Sequence, residues 1–305
     1  MAGKILITGG SGLIGSRLSE MLIDQGYEVA HLSRSPDKYS HYKTFRWDVQ
    51  AGSLDENAIT YADYIIHLAG AGLADEKWTK ERKREILRSR VDSSQLLYKG
   101  LQQQKHRVKA FISASAIGIY GDSGDQLMSE ESTYGEDFMA EVCKAWEASV
   151  WPIKDLGIRT VILRTGIALS EKGGALPQMA RPVKLMAGAP FGSGKQYMSW
   201  IHMDDLCRLY IRAIEDTQFA GVYNAVAPHP VTNQEFTEAL AEVMHKPLVL
   251  PKVPSFALNM MLGEMSAVVL SGQRVSANKV LQTGFTFEYN YLDEALESFY
   301  KNQQS

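Results

Sequence analysis

Apolar residues in the first half of the chain come in short runs separated by longer stretches of helical spacing. Lys4–Thr8, Glu28–Ser33, Thr44–Trp47, Tyr64–Leu68, Lys109–Ser113 and Arg159–Arg164 read as strands. Leu13, Leu18, Leu22 and Ile23 recur at helical spacing, and Gly26 is a natural stop for that helix. Further helices are predicted from roughly Lys80 to Gln104 and over Phe138–Leu156. Strands that alternate with helices imply βαβ units, and so an α/β fold with a doubly wound parallel sheet. After about residue 165 the rhythm breaks into Gly- and Pro-rich loops such as GAPFGSGKQ, Gly188–Gln196. Helical stretches follow around Asp204–Ile214, Asn233–His245 and Phe256–Met265. The expected division is residues 1–166 as the sheet domain and 167–305 as a smaller, mainly helical region, with its own tail from about 250. There is no repeat or flexible linker, so the second part is expected to pack on the first.

Composition narrows this picture without changing it. The chain has 305 residues, 45% apolar and 22% charged, which is enough to bury a core without staples. A net charge of −3 argues against a nucleic-acid or anionic-membrane surface built on bulk charge. Cys143 and Cys207 stand apart without CxxC or His-rich partners, so no disulfide scaffold, zinc site or other metal site is expected. No stretch approaches the length of a membrane span and no signal segment is evident, which makes cytoplasmic residence the expectation.

The candidate chemistry starts at TGGSGLIG, Thr8–Gly15, where the first strand hands over to the first helix. Gly10, Gly12 and Gly15 fit GxGxxG, and Gly9, Gly12 and Gly15 equally fit GxxGxxG. Such glycines allow a tight turn, close approach of a pyrophosphate, and close packing of helix on strand. The helix N-terminus adds free N–H groups and partial positive charge. Gly9, Ser11, Gly12, Leu13 and Ile14 are therefore candidate dinucleotide contacts. The second strand ends in Leu32-Ser33-Arg34, where NAD sites usually place an acid. A guanidinium suits a 2′-phosphate, with Ser33 as a further donor, which points to NADP. Asp48 is placed either to meet the adenine amino group or to cap a loop.

Taken with HLAGAG (His67–Gly72), ISASAIGIYG (Ile112–Gly121) and WIHMDDL (Trp200–Leu206), the loop makes the chain resemble the extended short-chain dehydrogenase/reductase superfamily. It is similar, more narrowly, to the atypical epimerase-family group with its own C-terminal extension. That likeness rests on SRVDSS (Ser89–Ser94), AEVCKAWE (Ala140–Glu147), LRTGIALS (Leu163–Ser170) and SGQRVSANKVLQTGFTF (Ser271–Phe287). The resemblance implies a Rossmann-type sheet and cofactor contacts at Leu68, Ala69, Gly70, Ser113 and Ile167. It also implies a catalytic Ser115 and Lys144, the lysine binding the nicotinamide ribose. The tyrosine four residues before that lysine is replaced by Ala140, which carries no proton. Tyr120 is the candidate substitute, with Tyr134 and Glu141 less well placed. Arg90 stands where relatives present an asparagine, and if it points inward it can pair with Glu85 or reach cofactor phosphates; Glu85 and Arg90 both join the candidate cofactor contacts.

Met179, Arg181, Tyr197, Trp200 and His202 are candidate substrate-lining residues, with His202 also readable as a structural anchor. Asp204 and Asp205 suit a helix N-terminus. Gln273 and Arg274 either bind substrate or tie the tail to the body. The expected function is an NADP-binding oxidoreductase or epimerase-like enzyme acting on a small polar molecule by hydride transfer. The alternative is a non-catalytic NADP-binding sensor. Monomer and homodimer are both open.

Overall fold

The computed structural model describes residues 3–35 and 41–301. Its elements begin with β1 (Lys4–Thr8), α1 (Leu13–Asp24), β2 (Glu28–Ser33), β3 (Lys43–Asp48), β4 (Ser53–Leu54) and α2 (Glu56–Tyr61). Then come β5 (Tyr64–His67), α3 (Lys80–Gln103), β6 (Ala110–Ala116), β7 (Leu127–Met128), α4 (Phe138–Val150) and β8 (Arg159–Thr165). The later half adds β9 (Ile167–Leu169), α5 (Ala175–Lys184), β10 (Tyr197–Met198), β11 (Trp200–His202), α6 (Met203–Glu215) and β12 (Gly221–Ala225). It closes with β13 (Val231–Thr232), α7 (Asn233–Val243), α8 (Ser255–Leu262), α9 (Ser266–Leu270), β14 (Arg274–Val275), α10 (Asn278–Gln282) and α11 (Leu292–Tyr300).

The main sheet runs β12-β8-β6-β5-β1-β2-β3-β4. All its neighbours are parallel except β3 and β4, which form an antiparallel hairpin. The central strands are unbroken apolar runs because helices cover both faces. Ile5 and Ile7 pack on one side with Leu18 and Leu22 of α1 and Leu206 and Tyr210 of α6. Leu6 turns to the other side, with Ile59 of α2, Leu97 of α3 and Val150 of α4. The chain winds outward from β1 to β3 and then returns to β5 on the opposite flank. The crevice between the C-terminal ends of β1 and β5 is therefore the topological switch point, where such sheets bind ligands.

Three differences from the sequence reading have local causes. Strand β6 runs on to Ala116, past Ser113. The helix expected over Phe138–Leu156 ends at Val150 and tightens into a 3-10 turn, Trp151–Leu156, where Pro152 has no N–H to continue the ladder. The sheet also draws a strand from beyond residue 166, since β12 pairs with β8 along Gly221↔Val161 to Ala225↔Thr165. The tail is stitched to the first half as well, with β14 parallel to β7. Among the described residues no helix is long and apolar enough to cross a membrane.

Candidate functional site

The loop after β1 turns at Gly9, whose φ of +69° suits glycine. A Cβ there would lie 3.1 Å from the backbone of Leu68 and Ala69, so strand ends β1 and β5 meet across this residue. A Cβ at Gly15 would collide with the Gly9 carbonyl oxygen, and one at Gly10 with the His31 ring. The pattern the fold uses for its turn and close approach is thus Gly9, Gly12 and Gly15, with Gly10 held by His31. Gly12 caps α1 without a side-chain bond, and the first turn has no acid. Its N–H groups are left for an anion. A cleft of about 400 Å³ opens here. It gathers Gly9, Gly12, Leu13, Ile14, Leu68 and Ile167 from the sequence-based set. Ala168, Gly174 and Ala175 line it too; the Gly173-Gly174 pair ahead of α5 was the available signal for them. Ser11 is exposed at the tip of the loop.

Beneath the loop a polar network locks the crevice. Thr8 Oγ1 accepts the backbone N–H groups of Leu68 and Ala69, each at 3.1 Å. It also lies 2.7 Å from His67 Nδ1, while His67 Nε2 faces Ser94 at 3.1 Å and Ser93 at 3.2 Å. Sequence reasoning missed this cluster. Its signal was a threonine and a histidine ending neighbouring apolar strands.

Arg34 is exposed at the end of β2, and residues 36–40 after it lie outside the described residues. Ser33 Oγ accepts the Ser35 N–H at 3.2 Å. Asp48 accepts the Ala51 N–H at 3.0 Å, so in this structure it caps the β3–β4 turn.

Arg90 does point inward. Its Nη1 donates to the carbonyls of Ala71 at 3.1 Å and Ile86 at 2.9 Å. The guanidinium lies against Gly70 and 5.1 Å from the centre of the Trp146 ring. Burial lowers its pKa. The expected pairing with Glu85 is not formed: Glu85 binds Arg82 at 2.7 Å, one turn earlier on the outer part of α3. Arg90 is therefore a largely desolvated cation with no carboxylate partner among the described residues, beside the loop that follows β5.

Ala140, Lys144 and Glu147 follow one another at helical spacing along the face of α4 turned to the end of β6. Ala140 is fully buried. Lys144 donates to the Gly135 carbonyl at 3.2 Å. Ser115 Oγ donates to Glu147 at 2.7 Å. Glu147 in turn meets Arg164 through both oxygens, at 2.8 and 2.9 Å. Ser113 is buried and bonds the adjacent Ala114 carbonyl. Tyr120 is not brought to the cleft: its hydroxyl donates to Asn224 at 2.6 Å and accepts from Arg164 at 3.0 Å. Burial pushes its pKa up to about 12, against the pull of Arg164.

The later residues divide sharply. Trp200 is fully buried, with its indole on the His229 carbonyl. His202 caps α6 by accepting the Asp204 N–H and is stacked between Tyr289 and Phe299. Asp204 pairs with Arg17 at 2.7 Å, and Asp205 takes the N–H groups of Glu288 and Tyr289 from the tail. Gln273 ties the tail to the Gly121 carbonyl, and Arg274 lies over Tyr197. Arg181 lines a separate cavity of about 290 Å³ with Lys184 and Tyr300, and Met179 packs on the apolar cluster between α5 and α7. Among the described residues no group of three His, Cys, Asp or Glu side chains could hold a metal.

A doubly wound sheet with a glycine-cradled crevice at its switch point defines a dinucleotide-binding class of protein, and comparison with known proteins makes the class specific. The model of the NAD dependent epimerase/dehydratase family matches residues 5–225, and that of a domain of unknown function, DUF1731, matches 253–299. The chain belongs to the NAD dependent epimerase/dehydratase family and carries that C-terminal extension. It is 37% identical to the epimerase family protein YfhF of Bacillus subtilis, over 99% of both chains. The human epimerase family protein SDR39U1, crystallised with NADPH, superposes with a TM-score of 0.89 at 30% identity, covering 98% of this chain and 99% of that one. A nucleoside-diphosphate sugar epimerase from Corynebacterium glutamicum gives a TM-score of 0.79 at 35% identity, over 97% of this chain and 57% of that one.

Proposed function

We propose that the protein binds NADP(H) in the β1/β5 crevice and is an oxidoreductase or epimerase-like enzyme acting on a small polar molecule. The observation that carries this is the Gly9–Gly12–Gly15 cradle at the uncapped start of α1, with Arg34 ending β2 where an acid would favour NAD. The NADPH bound to the human relative supports the same cofactor. Gly9, Gly12, Leu13 and Ile14 are the proposed pyrophosphate wall, Ser11, Ser33 and Arg34 the 2′-phosphate side, and Asp48 the adenine side. Leu68, Ala69, Gly70, Arg90, Ser113, Lys144 and Ile167 are assigned to the ribose and nicotinamide end. When bound, the cofactor supplies or takes a hydride at its nicotinamide. Ser115 and Lys144 are the chain's own groups for holding the reacting oxygen, and Ala140 leaves the proton to another group, water or the substrate itself.

Titration with NADPH and NADH tests the binding: equal affinity for both would remove the role given to Arg34. Turnover is tested by screening NADPH oxidation against aldehydes, ketones and quinones. If Lys144→Ala turns over a substrate as fast as the wild type, the proposed chemistry is wrong. A second reading, a non-catalytic NADP sensor, is favoured by one observation: Tyr120, the substitute proton donor, spends its hydroxyl on Asn224 and Arg164. Tight NADPH binding with no turnover across the screen would select it.

A further inference from the structure

Glu147 belongs to no role assigned so far, yet it sits directly behind the serine of the site. Its carboxylate is 5% exposed and Arg164 is 1% exposed. Both oxygens of Glu147 accept from that guanidinium. A carboxylate so paired is an acceptor only. The direction of the 2.7 Å contact with Ser115 is therefore fixed: the serine donates and Glu147 accepts. Burial works against the charge on Arg164, but its bonds to Glu147 outweigh this and raise its pKa. Arg164 is itself held by the hydroxyls of Tyr120 and Tyr134, each at 3.0 Å.

The same serine has nothing bonded to its lone pairs among the described residues. Among the described residues no donor reaches Ser115 Oγ, whereas Thr8, at the end of β1, has both acceptor positions filled by backbone N–H groups. A hydroxyl whose one proton is committed to a buried carboxylate is left able only to accept.

We infer that Glu147 is a positioning residue that takes the proton of Ser115, so that the serine, 3% exposed near the end of β6, is left as a hydrogen-bond acceptor and pairs with a ligand O–H or N–H. A ligand hydroxyl, the reduced member of an alcohol–carbonyl pair, satisfies it; a carbonyl oxygen there would meet only lone pairs. The choice of ligand group rests on the proposed reading of the cleft as a nicotinamide site. The proton placement does not.

The test needs no substrate. In Ser115→Cys, the introduced thiol takes the place of the hydroxyl, and iodoacetamide alkylation reads its ionisation. The native Cys143 and Cys207 are buried and have raised pKa values, so the wild type serves as the blank. A carboxylate against the thiol disfavours the thiolate. The expected result is an alkylation profile with its midpoint above about 8.5, the value of a free cysteine. In Ser115→Cys/Glu147→Gln the rate at pH 8 should rise about tenfold or more, the effect of one pH unit in that midpoint. A midpoint at or below 8.5 in the single variant overturns the inference, and does so even if the double variant does not fold. Equal rates in the two variants overturn it as well. So does a thiol that is never alkylated, because position 115 would then not open to the cleft. NADPH titration of the wild type reports separately on the cofactor reading, so failure of one is distinguishable from failure of the other.

Discussion

The hydroxyl of Thr8 lies 2.7 Å from Nδ1 of His67 and fixes which ring nitrogen carries the proton. Thr8 already accepts two backbone N–H groups, so its own proton goes to Nδ1. Ser93 and Ser94 spend their protons on the Arg90 carbonyl, at 3.0 and 2.9 Å, so Nε2 must donate to them. The neutral Nε2–H tautomer satisfies every partner, and a second proton would oppose the Thr8 hydroxyl. Thr8→Val keeps the shape and strands the Ala69 N–H and His67 Nδ1, while the Leu68 N–H keeps the backbone carbonyl of position 8 at 3.2 Å. It is expected to cost about 2–4 kcal/mol, the scale of a few buried unmade bonds. Thr8→Ser should cost much less. Urea unfolding of the two variants checks this, and equal midpoints would disprove the network's contribution.

Acid should destabilise the protein earlier than its carboxylates alone would. Burial, aided by the charge of Arg90, holds His67 at about 3, and burial holds His202 at about 4. Both folded values lie below the ordinary 6.5, so the unfolded chain binds protons first. The stability these histidines contribute is complete above about pH 6.5 and is lost as pH falls towards 4. Each contributes a slope of up to about 1.4 kcal/mol per pH unit. Urea midpoints measured from pH 7 to 5 should fall steadily, and less steeply in His202→Gln. A flat wild-type profile over that range would refute the assignment.

The sheet was legible because its strands are buried on both faces and so read as uninterrupted apolar runs; Lys4–Thr8 and Glu28–Ser33 come out residue for residue. Strand β12 was not, because GVYNA carries Asn224, whose polar side chain is buried only because Tyr120 and the Ser276 carbonyl meet it. The glycine loop was legible down to its two alternative registers, and both first positions call for glycine, Gly9 through its φ of +69° and Gly10 through the His31 ring. What no local pattern carried was pairing at a distance. Glu85 and Arg90 stand five apart on α3, on different faces of the helix; Arg82 takes the glutamate and Gly70 makes room for the arginine. Ser115 and Glu147 lie 32 positions apart and become partners only once β6 and α4 are packed.

Arg34→Glu should separate the two cofactors. Replacing a cation at the end of β2 by an acid would remove the charge-assisted bond proposed to the 2′-phosphate and would offer an acceptor to a ribose hydroxyl. NADPH affinity is expected to fall by about tenfold or more, and NADH affinity to hold or improve. Isothermal titration with both nucleotides reads the outcome. A parallel loss of both would show that the change acts on the loop as a whole.

Two glycines, one in α1 and one just past its end, should behave oppositely on substitution by alanine. At Gly15 the new methyl meets the Gly9 carbonyl, so the loop must move and nucleotide binding should be lost even where the fold survives. At Gly26 the φ is +84° but nothing lies within 4 Å. Gly26→Ala is expected to cost about 1–2 kcal/mol of backbone strain and to bind NADPH as the wild type does. Thermal shift with and without NADPH distinguishes them. A Gly15→Ala protein that keeps its ligand-induced shift would refute the close-packing role.

Removal of Arg164 should be worse than removal of the whole pair. Arg164→Met leaves the Glu147 carboxylate buried with Ser115 as its one remaining side-chain donor, an uncompensated charge that costs about 3–5 kcal/mol. Arg164→Met/Glu147→Gln removes both charges and keeps the volumes close to those of the original pair. Desolvation of two ions offsets much of their attraction, so the double variant is expected to recover most of the loss. Tyr120 retains Asn224 as a partner in both, which limits the collateral damage. Urea unfolding of both singles and the double gives the coupling directly. Single losses that merely add in the double would mean that the two groups act independently, and that the ion pair behind Ser115 is not the unit its geometry describes.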